Sequence, residues 1–244
     1  WDLSQRNPED ARAVRLPPDA VPKVAARHGC RSVAYTYSDP VVFYEYTLDA
    51  CIAVHTAGLK NVLVTAGYIN ERPLRELCRH VDAANIDLKA LSDRFYREVC
   101  GATLKPVLNT LVTAKSMGVM VEVTHLLIPT LNDADDDIAS LCDWVKNNMG
   151  AETPLHFSRF SPRYRLRHLP PTPAETLTRA RTIARDSGLQ HIYVGNILAR
   201  DGATTFCPEC GKPLVVRRGY HVLSNNITQG KCPACEREVY GRWQ

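Results

Sequence analysis

GLKNVLVTAGYINERPLRELCRHVDAANIDLK, residues 58–89, decides the fold. An apolar, β-branched run starts at Asn61 and ends in Thr65-Ala66-Gly67. An amphipathic stretch follows over 71–81. A second apolar run starts at Ala83 and ends in Asp87-Leu88-Lys89. Strand, helix and strand within about thirty residues make a βαβ unit, whose two strands run parallel.

The same alternation fills the chain on either side. Further apolar runs begin at Ser32 (SVAYTY), Met120 (MVEVTHLLI), Pro154 (PLHFSRF) and His191 (HIYVGN), spaced by about 32 residues. Helices are predicted over 18–28, 41–57, 71–81, 104–117, 134–149 and 173–187. Gly29, Gly58, Gly118, Gly150 and Gly188 follow five of them as C-terminal caps. In the helix 41–57, Val42, Tyr46, Ala50 and Ala53 fall on one face. The class is therefore α/β with right-handed crossovers. Five or six units fall short of a closed eight-fold barrel, which leaves a partial TIM-type (β/α) barrel or a doubly wound sheet. Asn196–Thr205 (NILARDGATT) reads as a linker and divides the chain into 1–200 and 201–244.

Composition excludes several classes. The 244 residues are 45% hydrophobic and 23% charged, with a net charge of +4. This is a globular profile, without the run of about 18 apolar residues that a membrane helix needs. A mildly basic chain admits anionic partners without requiring one. The nine cysteines are odd in number, which does not suit a secreted disulfide framework. Their pattern suits a reducing, cytoplasmic setting instead.

Four of them are paired. Cys207-Pro208-Glu209-Cys210 and Cys232-Pro233-Ala234-Cys235 form two C-x2-C knuckles with a predicted hairpin between them, Pro213–Val216 and His221–Leu223, turning near Gly219. That spacing predicts a zinc ribbon, because four thiolates surround Zn2+ tetrahedrally and a segment this short needs a metal in place of a core. Iron in a tetrahedral sulfur site is the alternative. Cys51, Cys78 and Cys142 fall in helices and read as small core residues. Cys30 stands alone, and Cys100, before Gly101, is the single cysteine to watch for reactivity.

Polar residues end the strands, where α/β proteins place their sites. They are Thr36-Tyr37-Ser38-Asp39, Thr65-Ala66-Gly67, Asp87 and Lys89, then Thr124 and His125, His156, Ser158 and Arg159, and Asn196. Asp87 and Lys89 are two apart and share a face. Together an acid and a base there suit the ammonium and carboxylate of an amino acid. The segment from Arg159 to His168 is basic and interleaved with aromatics, a pattern that suits a phosphate, an acidic protein or nucleic acid.

These residues follow the order of a known family. WDLSQ from Trp1, YTYSDP, VTAGY, NIDLK, VCGA, LLIPTLND, HFSRFSP, YVGN, FCPECG and the closing GRW resemble the radical S-adenosylmethionine enzyme of the AmmeMemoRadiSam system, itself similar to pyruvate formate-lyase activating enzymes. The resemblance spans essentially the whole chain. It implies a partial six-stranded barrel in which a [4Fe-4S] cluster, held by a C-x3-C-x2-C loop after a first strand, binds S-adenosylmethionine. Reductive cleavage then yields a 5′-deoxyadenosyl radical. By position it assigns Tyr37, Ser38 and Asp39 to the methionine part, Thr65 and Gly67 to the ribose-facing turn, and Asp87, Lys89 and His156 to the cofactor as well. The substrate stays open, a protein among the candidates. A flavodoxin or ferredoxin is the implied kind of electron donor, and no membrane is involved.

Two departures accompany it. Asp39 stands where Glu is usual, one methylene shorter. The C-x3-C-x2-C motif is absent, and in the family it ends just upstream of the Trp-Asp dipeptide that begins this chain. The expectation is an N-terminally incomplete sequence, lacking the first strand and the cluster ligands, inactive alone and with 32–37 at an exposed sheet edge. A cluster-less homologue binding protein or nucleic acid through the ribbon and the basic segment is the rival, with nucleic acid the less favoured partner. A barrel lyase using Lys89 as a Schiff-base nucleophile ranks last.

Overall fold

The structure is a computed structural model and describes residues 8–10, 14–219 and 221–243. WDLSQ lies outside the described residues. Two 3-10 turns, Pro8–Asp10 and Pro18–Ala20, precede α1 (Val21–Arg27). Then β1 (Ser32–Tyr35), α2 (Tyr44–Thr56), β2 (Lys60–Thr65), α3 (Glu71–Cys78) and β3 (Ala83–Asp87) alternate. A short α4 (Asp93–Phe95) and α5 (Leu104–Ser116) lead to β4 (Met120–Leu127). α6 (Asp135–Met149), β5 (Leu155–Arg159), α7 (Ala174–Asp186) and β6 (Ile192–Gly195) complete the run. β7 (Thr205–Phe206), β8 (Pro213–Arg218) and β9 (His221–Asn225) form a separate three-stranded antiparallel sheet. The first six strands follow one another in chain order in one sheet, and β1 stands at its end.

The chain divides into two compact units. The first takes the described residues up to Asp87 with Lys105–Val121. Within it β1 pairs β2 and β2 pairs β3, both parallel, with Ala34 opposite Val62 and Val64 opposite Asn85. Each helix buries one stripe. In α2 that stripe is Thr47, Ala50, Cys51 and Val54, and in α3 it is Leu74, Leu77 and Cys78. Val42 does not join it. It lies in a 3-10 turn before α2 and is 81% exposed, because the helix begins two residues later than its apolar pattern suggests.

A polar hub crosses this core. Asn61 is fully buried. Its Nδ2 donates to the carbonyls of Cys51 and His80, both at 2.8 Å, and its Oδ1 accepts from the Tyr35 hydroxyl at 3.0 Å. One side chain thus joins β1, α2 and the turn after α3 to β2.

The second unit holds Leu88–Leu104 and the described residues from Glu122 onward. Here β4 pairs β5 and β5 pairs β6, again parallel, with Thr124 opposite His156 and His156 opposite Tyr193. β4 alternates strictly. Val121, Val123, His125 and Leu127 are buried, and Glu122, Thr124 and Leu126 are half-buried. Leu155, Phe157, Ile138, Leu141 and Leu177 join the buried side. Each contributes about 1.5–3 kcal/mol of apolar burial. Residues 93–100 were not expected to be helical. Ser92 caps them by accepting from the Phe95 N–H, and Tyr96–Cys100 closes as a single π turn at Gly101.

The predicted linker ends earlier than Thr205, which already pairs with Val215 as β7. Among the described residues no helix is long and apolar enough to cross a membrane.

Asn61→Ala removes three hydrogen bonds at once, those to the Cys51 and His80 carbonyls and from the Tyr35 hydroxyl, at a cost of about 3 kcal/mol. Urea denaturation of the variant measures it, and a loss below about 1 kcal/mol contradicts the hub role.

Candidate functional site

In the first unit the strand ends after β1 and β2 meet at Asp39. Its Oδ1 accepts from the Thr65 hydroxyl at 2.6 Å and from the Val41 N–H at 3.3 Å, and its Oδ2 accepts from the Ala66 N–H at 2.9 Å. Thr65 Oγ1 in turn accepts from the Gly67 N–H at 3.0 Å. The carboxylate therefore caps the 3-10 turn that begins at Pro40 and braces the turn leaving β2. Gly67 has φ +69°, and a Cβ there would sit 2.8 Å from Ile86 Cγ2, so both its conformation and its surroundings demand glycine. Asp39, Thr65 and Gly67 are thus drawn into one network from distant positions in sequence. Tyr37 and Ser38 lie exposed beside it, Tyr37 with φ +71°. Asp87 ends β3 half-buried.

In the second unit the backbone of Leu88 and Lys89 is clamped. His125 Nδ1 donates to the Leu88 carbonyl at 2.9 Å. Asn132 Nδ2 donates to the carbonyls of Lys89 at 2.7 Å and Leu126 at 2.9 Å. The Lys89 N–H donates to the Tyr96 hydroxyl at 3.1 Å. Asn132 was not singled out from the sequence, although it sits in the quoted LLIPTLND. Its role depends on a loop fold that periodicity does not report. His125 is only half satisfied, since its buried Nε2 has no hydrogen-bond partner. Burial holds its pKa below the ordinary value near 6.5.

His156 sits on the half-buried side of β5. Its Nε2 bonds Glu122 Oε2 at 2.8 Å, and its ring stacks on Tyr193 at 4.9 Å between centroids. Glu122 and Tyr193 went unnoticed in the sequence because each falls at a polar position inside an apolar strand. Only the strand register brings them beside His156.

The ribbon gathers its four sulfurs. Sγ atoms of Cys207, Cys210, Cys232 and Cys235 lie within 4.8 Å of one another, with Cys207 to Cys235 at 3.5 Å and Cys210 to Cys232 at 3.7 Å. Sulfurs placed about 2.3 Å from a central ion in a tetrahedron are about 3.8 Å apart, so this set fits one metal ion. The N–H of Ala234 faces the Cys232 sulfur and, with that of Cys235, lowers its pKa to about 7. Cys235 goes the other way, up to about 12: the Arg237 N–H lowers it, but burial and hydrogen bonds to the other three sulfurs outweigh that. Four thiolates this close need a cation between them. Among the described residues the ribbon's buried cluster is Cys207, Cys232, Leu214, Val215 and Val239, with Ile227 and Trp243 packed against it.

The remaining cysteines are not gathered. Burial pushes Cys51 and Cys142 up to about 12 and Cys78 up to about 11, which keeps them as thiols. Cys100 is exposed, yet the atoms around its sulfur raise its pKa more than Lys89 lowers it. In the basic segment Arg159 donates to the Thr172 carbonyl, Arg167 to that of Tyr164, and Arg165 lies over the Tyr164 ring. These arginines hold their own loop together.

With this geometry in view, comparison with known proteins is informative. Residues 4–142 match the radical SAM superfamily. The chain is 41% identical over 241 residues to an uncharacterized protein of Methanocaldococcus jannaschii, covering 98% of this chain and 72% of that one. It is 25% identical over 120 residues to a pyruvate formate-lyase-activating enzyme of Clostridium pasteurianum, spanning 49% of this chain and half of that enzyme. Its fold matches the crystal structure of SuiB from Streptococcus suis bound to S-adenosylmethionine, with a TM-score of 0.61 and 13% identity over 78% of this chain and 45% of that one. The chain belongs to the radical SAM superfamily, a family of enzymes, and that membership supports S-adenosylmethionine-dependent radical chemistry.

The superfamily also implies an iron–sulfur cluster, and the residues present do not fit one. No C-x3-C-x2-C occurs in the 244 residues. Among the described residues the one cysteine set close enough to share an ion is the ribbon's, and its four sulfurs turn toward one another, as in a closed structural site.

Two measurements bear on this site. Metal analysis of the purified chain is expected to find one bound ion, lost on Cys232→Ser together with hydrogen-exchange protection of β7–β9. For His125, folding keeps the ring neutral, so the unfolded chain takes up the proton first and stability falls as pH drops below about 6.5. The urea midpoint should therefore decrease between about pH 7.5 and 5, and His125→Gln should flatten that slope.

Proposed function

We propose that the chain is the major part of a radical S-adenosylmethionine enzyme of the AmmeMemoRadiSam type, similar to the pyruvate formate-lyase activating enzymes. Its proposed activity is reductive cleavage of S-adenosylmethionine for radical chemistry on a substrate, a protein among the candidates. Residues 1–200 are the partial barrel and 201–244 the zinc ribbon. The cluster ligands belong to sequence outside these 244 residues, because membership calls for them and no suitable triplet lies within. Reducing power comes from a small electron carrier such as a flavodoxin or ferredoxin, in the cytoplasm.

What carries this reading is the network of Asp39, Thr65 and Gly67. A carboxylate that spends three acceptor positions on its own backbone and on Thr65 makes the turn after β2 rigid. A turn whose N–H groups are already satisfied internally keeps its shape and presents a fixed surface to a ligand's ribose. Asp39 acts here as a brace for the ligand-facing turn. Tyr37, Ser38 and Asp87 accompany it in the same unit. Lys89 and His156, in the second unit, carry their cofactor assignment from the resemblance alone. Bound S-adenosylmethionine would supply the radical chemistry, and the chain's own part is to orient it.

The test uses a protein extended by the upstream sequence in which the proposal places the cluster ligands. Protein that includes the upstream codons, reconstituted anaerobically with iron and sulfide and reduced with dithionite, should release 5′-deoxyadenosine from S-adenosylmethionine. The 244 residues alone should not. Asp39→Ala in the longer protein should weaken S-adenosylmethionine binding tenfold or more, with bound iron unchanged. Cleavage by the 244-residue chain, or full binding by the Asp39 variant, contradicts the proposal.

A further inference from the structure

The second unit contains a cleft of about 970 Å3 lined by the parallel strands, by the segment after β6 that includes Arg200, and by the ribbon. Glu122, His156 and Tyr193 contribute from the parallel strands, and Arg217 and Arg218 from β8 of the ribbon. A cleft of this size suits a small molecule or the reacting end of a larger one. Its two sides are joined by hydrogen bonds. The Tyr193 hydroxyl and Thr205 Oγ1 are 2.8 Å apart, and Arg217 Nη1 donates to Thr205 Oγ1 at 2.9 Å and to the Ala203 carbonyl at 3.1 Å. The register of β8 against β9 shifts between Val216 and Arg217, an irregularity of the kind that re-aims a side chain. Arg217 is therefore fixed against the ribbon's first strand, and a guanidinium has more N–H donors than these contacts use.

We propose that the ribbon completes a ligand site on the sheet, and that this site takes a ligand bearing an oxyanion, a carboxylate or a phosphate. The charges are arranged for such a ligand. Arg200, Arg217 and Arg218 outnumber the single carboxylate of Glu122 along the lining. Glu122 is engaged by His156, which in turn lies flat on Tyr193. The anionic end belongs at the ribbon, where a guanidinium fork matches two oxygens. The flat aromatic pair suits an apolar or ring portion, and a hydrogen-bond donor on the ligand suits Glu122. The metal then has a role beyond holding a small sheet, since the ribbon it closes carries the arginine. The site rests on the radical SAM reading only in that its ligand would be the substrate, and binding is testable without any turnover.

Inorganic phosphate and acetate are the probes, titrated separately into the metal-loaded chain. Calorimetry gives affinity, and the imidazole resonances of His156 report the location. A saturable site is expected for at least one anion. Phosphate alone indicates a phosphate-bearing ligand, and acetate alone a carboxylate. Arg217→Gln should weaken binding tenfold or more, and Arg218→Gln by about threefold, with bound metal unchanged in both. Arg27→Gln, at the end of α1, should bind like the unaltered chain. Should Arg217→Gln lose its metal, the Arg218 variant carries the decision. The proposal fails if neither anion moves the His156 resonances, or if binding survives undiminished in both ribbon variants. Those failures leave S-adenosylmethionine cleavage by the longer protein untouched, so the two readings fall separately.

Discussion

Parallel pairing is the constraint on which the rest of this molecule depends. Two neighbouring strands that run the same way cannot be joined by a tight turn, so the chain must return along its length each time. The return is made by a helix, which buries one stripe against one face of the strands. β2, α3 and β3 show this in the first unit, and β5, α7 and β6 in the second. Within each unit the strands consequently end on the same side, and the residues just past their ends are free of ladder duties. Asp39, Thr65 and Gly67 form their network there. The opposite requirement is visible in β4, where burial alternates residue by residue. One side serves packing, and the other leaves Glu122 and Thr124 available to solvent.

Polar groups inside this architecture act as fixings. Asn61 ties three elements to β2, and Asn132 and His125 hold the backbone that follows β3. Each exchanges hydrogen bonds with water for hydrogen bonds to backbone carbonyls. The gain per bond is small, while removal of one partner leaves a buried carbonyl stranded. Such residues therefore specify loop geometry more than they add stability. The ribbon obeys a different rule. Among the described residues few of its side chains are buried, and its four sulfurs lie where one cation can be shared among them.

The sequence by itself determined the class of fold, the order of the six parallel strands and of the longer helices between them, and the metal-binding character of the last forty residues. Apolar period and glycine punctuation are local properties, and C-x2-C spacing is geometric in its own right. Residues 61–67 and 83–89 read correctly for that reason, and Asp39, Thr65 and Gly67 were visible as polar residues where apolar strands stop. Their connection was not. A hydrogen bond between residues 26 apart depends on which strand lies beside which. Val42 misled because helix periodicity continues smoothly into a 3-10 turn, and the break shows only in the backbone. Glu122, Tyr193, Asn132 and Arg217 were decided by tertiary structure alone. Each looks ordinary in its own segment, and each acquires a partner only through strand register, a loop return or the shift in β8. Parallel register is set by packing across the sheet, which no local stretch of sequence records.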